Sequence, residues 1–151
     1  MTTRAYKEGV IAADTAVHDG DTYAGQCDKI WTMSNGWLGG AAGCMGDCSA
    51  FARWFLSKCD GDPPNFAEDY SEALVIRDRG NIEWIGGKGR RAFYRPEHCA
   101  IGSGFPVAAG AMAAGASAIE AVKVAARLNA FTQEPIMWFS HSGERGKIDG
   151  V

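Results

Sequence analysis

The chain lacks any long apolar run, any C-x-x-C pair and any marked excess of one charge. Nowhere do about eighteen apolar residues follow one another, as a membrane-spanning helix requires, and the opening Met1-Thr-Thr-Arg-Ala-Tyr-Lys has no apolar stretch of the export-signal kind. The expectation is a cytoplasmic protein without a membrane partner. A formal net charge of -3 supplies no broad field to draw nucleic acid or an acidic lipid surface. The five cysteines, Cys27, Cys44, Cys48, Cys59 and Cys99, form an odd set in a chain too large to need stapling, so they read as reduced, mostly buried thiols. Cys44 and Cys48 with His98 or His141 match no familiar zinc spacing, and no metal or cofactor is expected. Internal repeats and low-complexity stretches are also missing.

What is present suits one domain over residues 1–151, since domains commonly run about 100 to 150 residues. Thr2 to Tyr6 and Val10 to Thr15 flank Lys7-Glu8-Gly9 and read as an opening hairpin. Lys29 to Met33 and Trp37 to Ala42 flank Asn35-Gly36, the strongest short hairpin signal. Small residues up to Gly43 lead into a helix over Asp47 to Lys58, with Phe51, Trp54, Phe55 and Lys58 at helical spacing and Trp54 assigned to the core. Ala73 to Arg77 and Ile82 to Ile85 form a third hairpin, and Gly86 to Arg91 reads as loop. A strand at His98 to Ile101, a small-residue helix at Val107 to Ala114 and a helix at Ala118 to Leu128 follow, the last with Ser117 and Glu120 in capping-box positions. Ile136 to Ser140 reads as the final strand, and 141–151 as a loose tail. This order is α+β, antiparallel sheets covered by helices.

Thr2 is the residue with chemical interest. A small second residue permits removal of Met1, and an N-terminal Thr then holds a hydroxyl nucleophile and an amine base that titrates near 8. On its own, Thr2 reads as no more than the start of a strand.

Its surroundings add to this. Thr2-Thr3 is followed in order by Gly9 to Asp14 (Gly-Val-Ile-Ala-Ala-Asp), Asp28-Lys29-Ile30, Ala42 to Asp47, Ile101 to Gly104 and Asn129 to Thr132. In that order and approximate spacing the chain, from Thr2 to about Pro135, resembles the proteasome-type N-terminal-nucleophile hydrolases, the beta-type subunits of proteasomes. Ala42 to Phe55 resembles the bacterial ring peptidase that partners an ATPase unfoldase. The resemblance implies a four-layer αββα sandwich of two antiparallel sheets, and a threonine-type endopeptidase working as a homo-oligomeric ring on unfolded chains or peptides, with an ATPase unfoldase as the partner open to such a ring. It also implies roles: Thr2 as nucleophile, Lys29 as the cation beside it, Asp14 as that cation's carboxylate, Gly43 N–H as oxyanion donor, and Ser103 at the terminal amine. Asn129 stands where the family usually carries an acidic residue, and Thr132 keeps a hydroxyl beside it. The opening hairpin is shorter than usual, which puts the register of Thr2 against Asp14 in question. Met33 and Gly39 to Met45 are expected around the substrate pocket. Two other readings stay open: a non-catalytic ring or scaffold subunit, favoured by Asn129, and an amidohydrolase acting on a small molecule.

Overall fold

The computed structural model describes residues 2–150, Arg79 by its backbone alone. Twelve strands and three α-helices are found among them. One five-stranded sheet has the order β10-β1-β2-β11-β12, formed by His98–Gly102, Thr3–Lys7, Val10–Asp14, Ile136–Ser140 and Arg145–Ile148. The other runs β5-β6-β7-β8-β9, formed by Ile30–Thr32, Leu38–Ala42, Glu72–Ile76, Ile82–Gly86 and Arg91–Tyr94. A separate ribbon joins β3 (Ala16–Asp19) to β4 (Thr22–Gln26). All pairings are antiparallel.

Alternation along the strands sorts side chains into three apolar clusters. Tyr6, Ile11, Ala13, Ile101 and Phe139 of the first sheet pack with Ile30, Leu38, Leu74 and Ile76 of the second. On the other face of the first sheet, Ala5, Ala12 and Ile136 meet α2 (Phe105–Ala113) and α3 (Ala118–Leu128) through Ala108, Met112, Ala121 and Val122. The second sheet turns Ala41, Ala73, Val75 and Ile85 toward Phe51 and Phe55 of α1 (Met45–Leu56). The two Phe rings have no exposed surface, and burying each stabilises the fold by about 2 to 3 kcal/mol. The arrangement is consistent with an α+β sandwich.

Helix α3 shows the sequence logic most plainly. Ser117 Oγ accepts from Glu120 N at 3.1 Å, and Ala118, Ala121, Val122 and Ala125 form the buried face. Helix α1 begins at Met45, two residues before the expected Asp47, because Cys44 caps it, Sγ accepting from Asp47 N at 3.4 Å. It ends at Leu56, ahead of the left-handed Lys58 and Cys59. Trp54 is half-buried and packs against the Phe51 cluster.

Three expectations need correction. The segment 141–151 is not a loose tail: β12 pairs with β11 from Ile136↔Ile148 to Phe139↔Arg145. Gly86 to Arg91 is loop only in its middle: Gly86 ends β8, Gly87–Gly89 form a 3-10 turn, and Arg91 opens the edge strand β9. Neither strand carries an alternating apolar signal; both exist through backbone pairing to a buried neighbour. The thiols are also more accessible than expected: Cys99 is buried, the other four are half-buried, and all five are free.

Candidate active site

Thr2 precedes β1, and Thr3 and Asp14 close the β1–β2 hairpin at its open end, where Arg4 is paired with Ala13. The short hairpin therefore keeps Thr2 beside Asp14. Asp14 is fully buried, and its two oxygens are saturated. Oδ1 accepts from Thr2 Oγ1 and from Thr3 N at 3.0 Å; Oδ2 accepts from Lys29 Nζ at 3.1 Å and from Gln133 N at 3.4 Å. Lys29, at the entry to β5, also donates to Thr2 Oγ1 at 2.5 Å and to the Ala16 carbonyl at the start of β3. The ribbon β3–β4 thus has a function in the site that its sequence does not announce.

Burial pulls the Lys29 ammonium down to about 8, repulsion from Arg4 adds to this, and attraction to Asp14 opposes it. At neutral pH the lysine therefore remains mainly protonated, but it gives up its proton more readily than a solvated lysine does. Such a cation stabilises negative charge growing on the Thr2 oxygen without being locked in one protonation state.

Thr2 and Lys29 open onto a cavity of about 360 Å³ that Gly43, Cys44 and Met45 also line. Gly43 has φ +129, and a Cβ there would lie 2.3 Å from Ser71 Oγ, so glycine is required twice over. Ser71 Oγ itself accepts from Cys44 N at 3.2 Å, which holds this turn at the head of α1. The amino end of a helix contributes positive potential where an oxyanion would form. Of the expected pocket segment, Gly43 to Met45 line the cavity. Met33 instead packs with the α1 cluster, and Gly39 to Ala42 are committed to strand β6.

Ser103, Asn129 and Thr132 come together on the other face of β1. Asn129 Oδ1 accepts from Thr132 Oγ1 and from Phe131 N, both at 3.1 Å, and from Ser103 Oγ at 3.5 Å. Thr132 Oγ1 is 2.7 Å from Thr3 Oγ1. These bonds tie the neutral network to Thr3, the residue next to Thr2. Met1, on whose removal the terminal amine depends, lies outside the described residues.

Two residues escaped the sequence reading. Arg4, on the same face of β1 as Thr2, lines the cavity while only 1% exposed. His18, on β3, lines it too, its ring edge-on to Phe131 and Tyr23. A period-two reading from Thr2 would have placed Arg4 on the Thr2 side; nothing in the sequence marks His18.

No family model matches the chain, and no curated protein matches it. Among solved structures, it is similar to BPH of Thiobacillus denitrificans in complex with epoxomicin, with a TM-score of 0.64 and 17% identity over 99% of this chain and 99% of that one. At that identity the likeness shows that the two chains share a fold, and no more. No helix among the described residues is long and apolar enough to cross a membrane.

Proposed function

We propose that the protein is a threonine-type peptidase whose nucleophile is Thr2 once Met1 has been removed. The observation that carries this reading is the position of Thr2 Oγ1, within hydrogen-bond reach of both Lys29 and Asp14 at a cavity that Gly43 lines. The freed α-amine takes the hydroxyl proton as Oγ1 bonds to the peptide carbonyl carbon. The resulting oxyanion is held by Gly43 N–H and the head of α1, while Lys29 stabilises the developing charge on Oγ1. Cleavage of the C–N bond sends the protonated amine out, and water, activated by the same α-amine, hydrolyses the ester. Ser103, Asn129 and Thr132 position Thr3 and through it the N-terminal residue.

The same proposal includes the αββα layering that the three clusters support, a homo-oligomeric ring, unfolded chains or peptides as substrates, an ATPase unfoldase as partner and a cytoplasmic setting. A non-catalytic ring subunit is the second reading, favoured by the neutral Asn129. One experiment separates them: intact mass before and after an N-terminal-Thr-directed epoxyketone. Loss of Met1 with one adduct per chain, absent in Thr2→Ala, is the expected result. Retained Met1 or no adduct overturns the peptidase reading and leaves the scaffold.

A further inference from the structure

Arg4 is the most unusual residue of the cavity. Its aliphatic stem crosses Gly40 of the opposite sheet, where an added Cβ would meet Arg4 Cγ at 3.4 Å and Ile11 Cδ1 at 3.1 Å. The guanidinium is thereby carried into the space between the sheets, where Nε and Nη1 are buried and make no hydrogen bond. Guanidinium groups are planar forks of five donors, and burying one unpaired is costly. Elsewhere this protein obeys that rule: the buried Glu83 carboxylate is bonded by both Arg77 and Arg91. At Arg4 no carboxylate is hydrogen-bonded to Nε or Nη1, and Asp14 and Glu72 attract the guanidinium only through space. Asp14 cannot serve, because both its oxygens are already taken by Thr2, Thr3, Lys29 and Gln133. His18 Nδ1, on the same cavity, is another buried nitrogen without a hydrogen-bond partner. Asp28 also lines the cavity, but it is exposed, where solvent screens it.

The spacing suits an incoming acid. Same-face neighbours on a strand lie about 6.5 Å apart, so the Arg4 fork lies within a side chain's reach of Thr2. A carboxylate on the residue whose carbonyl Thr2 attacks sits roughly 4 to 5 Å from the reacting carbon, by ordinary bond lengths.

We propose that Arg4 receives a substrate carboxylate, so that the cavity selects peptides with Glu or Asp on the acyl side of the bond cut at Thr2. This rests on the peptidase reading above and names its substrate class. The fork supplies two parallel donors to the acid, and a neutral amide of the same shape leaves the guanidinium imperfectly paired.

The test compares acetylated tripeptide coumarylamides ending in Glu, Asp, Gln or Leu, with wild-type protein, Arg4→Met and Arg4→Lys. The expected result is kcat/KM roughly tenfold or more higher for Glu or Asp than for Gln, with that ratio collapsing in Arg4→Met. Arg4→Lys, which retains the charge and is the variant to use if Arg4→Met does not fold, should show a reduced but surviving ratio. Equal or better turnover of Gln or Leu peptides by the wild type, or an equal change on every peptide in Arg4→Met, overturns the inference. Thermal unfolding with the Glu and Gln tripeptide amides gives a readout independent of turnover. Stabilisation by Glu alone, lost in Arg4→Met, supports the carboxylate site even if no peptide is cut and no epoxyketone adduct forms, in which case only the peptidase reading fails. No difference between the two amides, with no turnover, overturns the carboxylate site as well.

Discussion

Thr2 and Thr3 are adjacent and chemically identical, yet they occupy opposite environments. Thr2 faces the space between the sheets, where its hydroxyl touches Lys29 and Asp14 at an open cavity. Thr3 faces the helices and shares a hydroxyl contact with Thr132 inside a neutral network centred on Asn129. A Cβ on Gly104 would lie 1.9 Å from Thr3 Oγ1, so that side is closed. The difference teaches that the surroundings of a threonine hydroxyl are set here by the face of the strand and not by the residue type. On one face a low-dielectric pocket concentrates charge around a hydroxyl; on the other the same hydroxyl is one member of a hydrogen-bonded packing layer.

The contrast breaks most completely if the charged side is emptied. Lys29→Ala should lower peptide turnover by roughly a thousandfold or more, and the uncompensated Asp14 charge should cost about 3 to 5 kcal/mol of stability. Peptide assays and urea titration read the two effects separately. Turnover surviving in that variant sinks the proposed mechanism.

A smaller effect concerns pH. Lys29 is lowered from 10.5 to about 8 in the folded protein, so between those values the unfolded chain holds the proton more often than the native one. The cost of burying the charged lysine is therefore fully present below about 8 and is relieved as pH rises toward the unfolded value. Urea midpoints of the wild type should rise with pH over that window relative to those of Lys29→Met. Parallel curves for the two proteins contradict the lowered value.

The smallest effect is expected on the neutral face. Thr132→Val removes one buried hydroxyl contact to Thr3 and one to Asn129, at a cost of about 1 to 2 kcal/mol, and should reduce turnover by no more than a few fold. A loss comparable to that of Lys29→Ala would show that the two faces are not distinct. It would make the Thr3 network part of the reactive centre.

Much of this was legible in local sequence. The Asn35-Gly36 turn, the Ser117 and Glu120 cap and the apolar spacing of α3 each state their own conformation, because the forces involved act within a few residues. The three hairpins occur as read, within one or two residues. The edges were less legible. Arg91–Tyr94 and Arg145–Ile148 are strands only because Ile82–Gly86 and Ile136–Ser140 present unpaired backbone to them. The head of α1 was misplaced since a cysteine is an uncommon cap.

For the site, sequence order and family resemblance selected Thr2, Asp14, Lys29 and Gly43; the structure brings Thr2, Lys29 and Gly43 to one cavity, with Asp14 buried behind it and bonded to Thr2 and Lys29. The resemblance linked Ser103 and Asn129 to the terminal residue; the bonds found run through Thr132 and Thr3. Arg4 remained unread because its significance lies in what it lacks. A missing partner is a property of the whole enclosure.

The sequence by itself determined the local elements, their antiparallel hairpins and the presence of a Thr at position 2. Only the tertiary structure decided that Asp14 is saturated by four donors, that the β3–β4 ribbon supplies an acceptor for Lys29, and that Arg4 Nε and Nη1 are buried without a hydrogen-bond partner. Short-range propensities act through neighbours in the chain, whereas desolvation and charge pairing depend on groups brought together from distant segments.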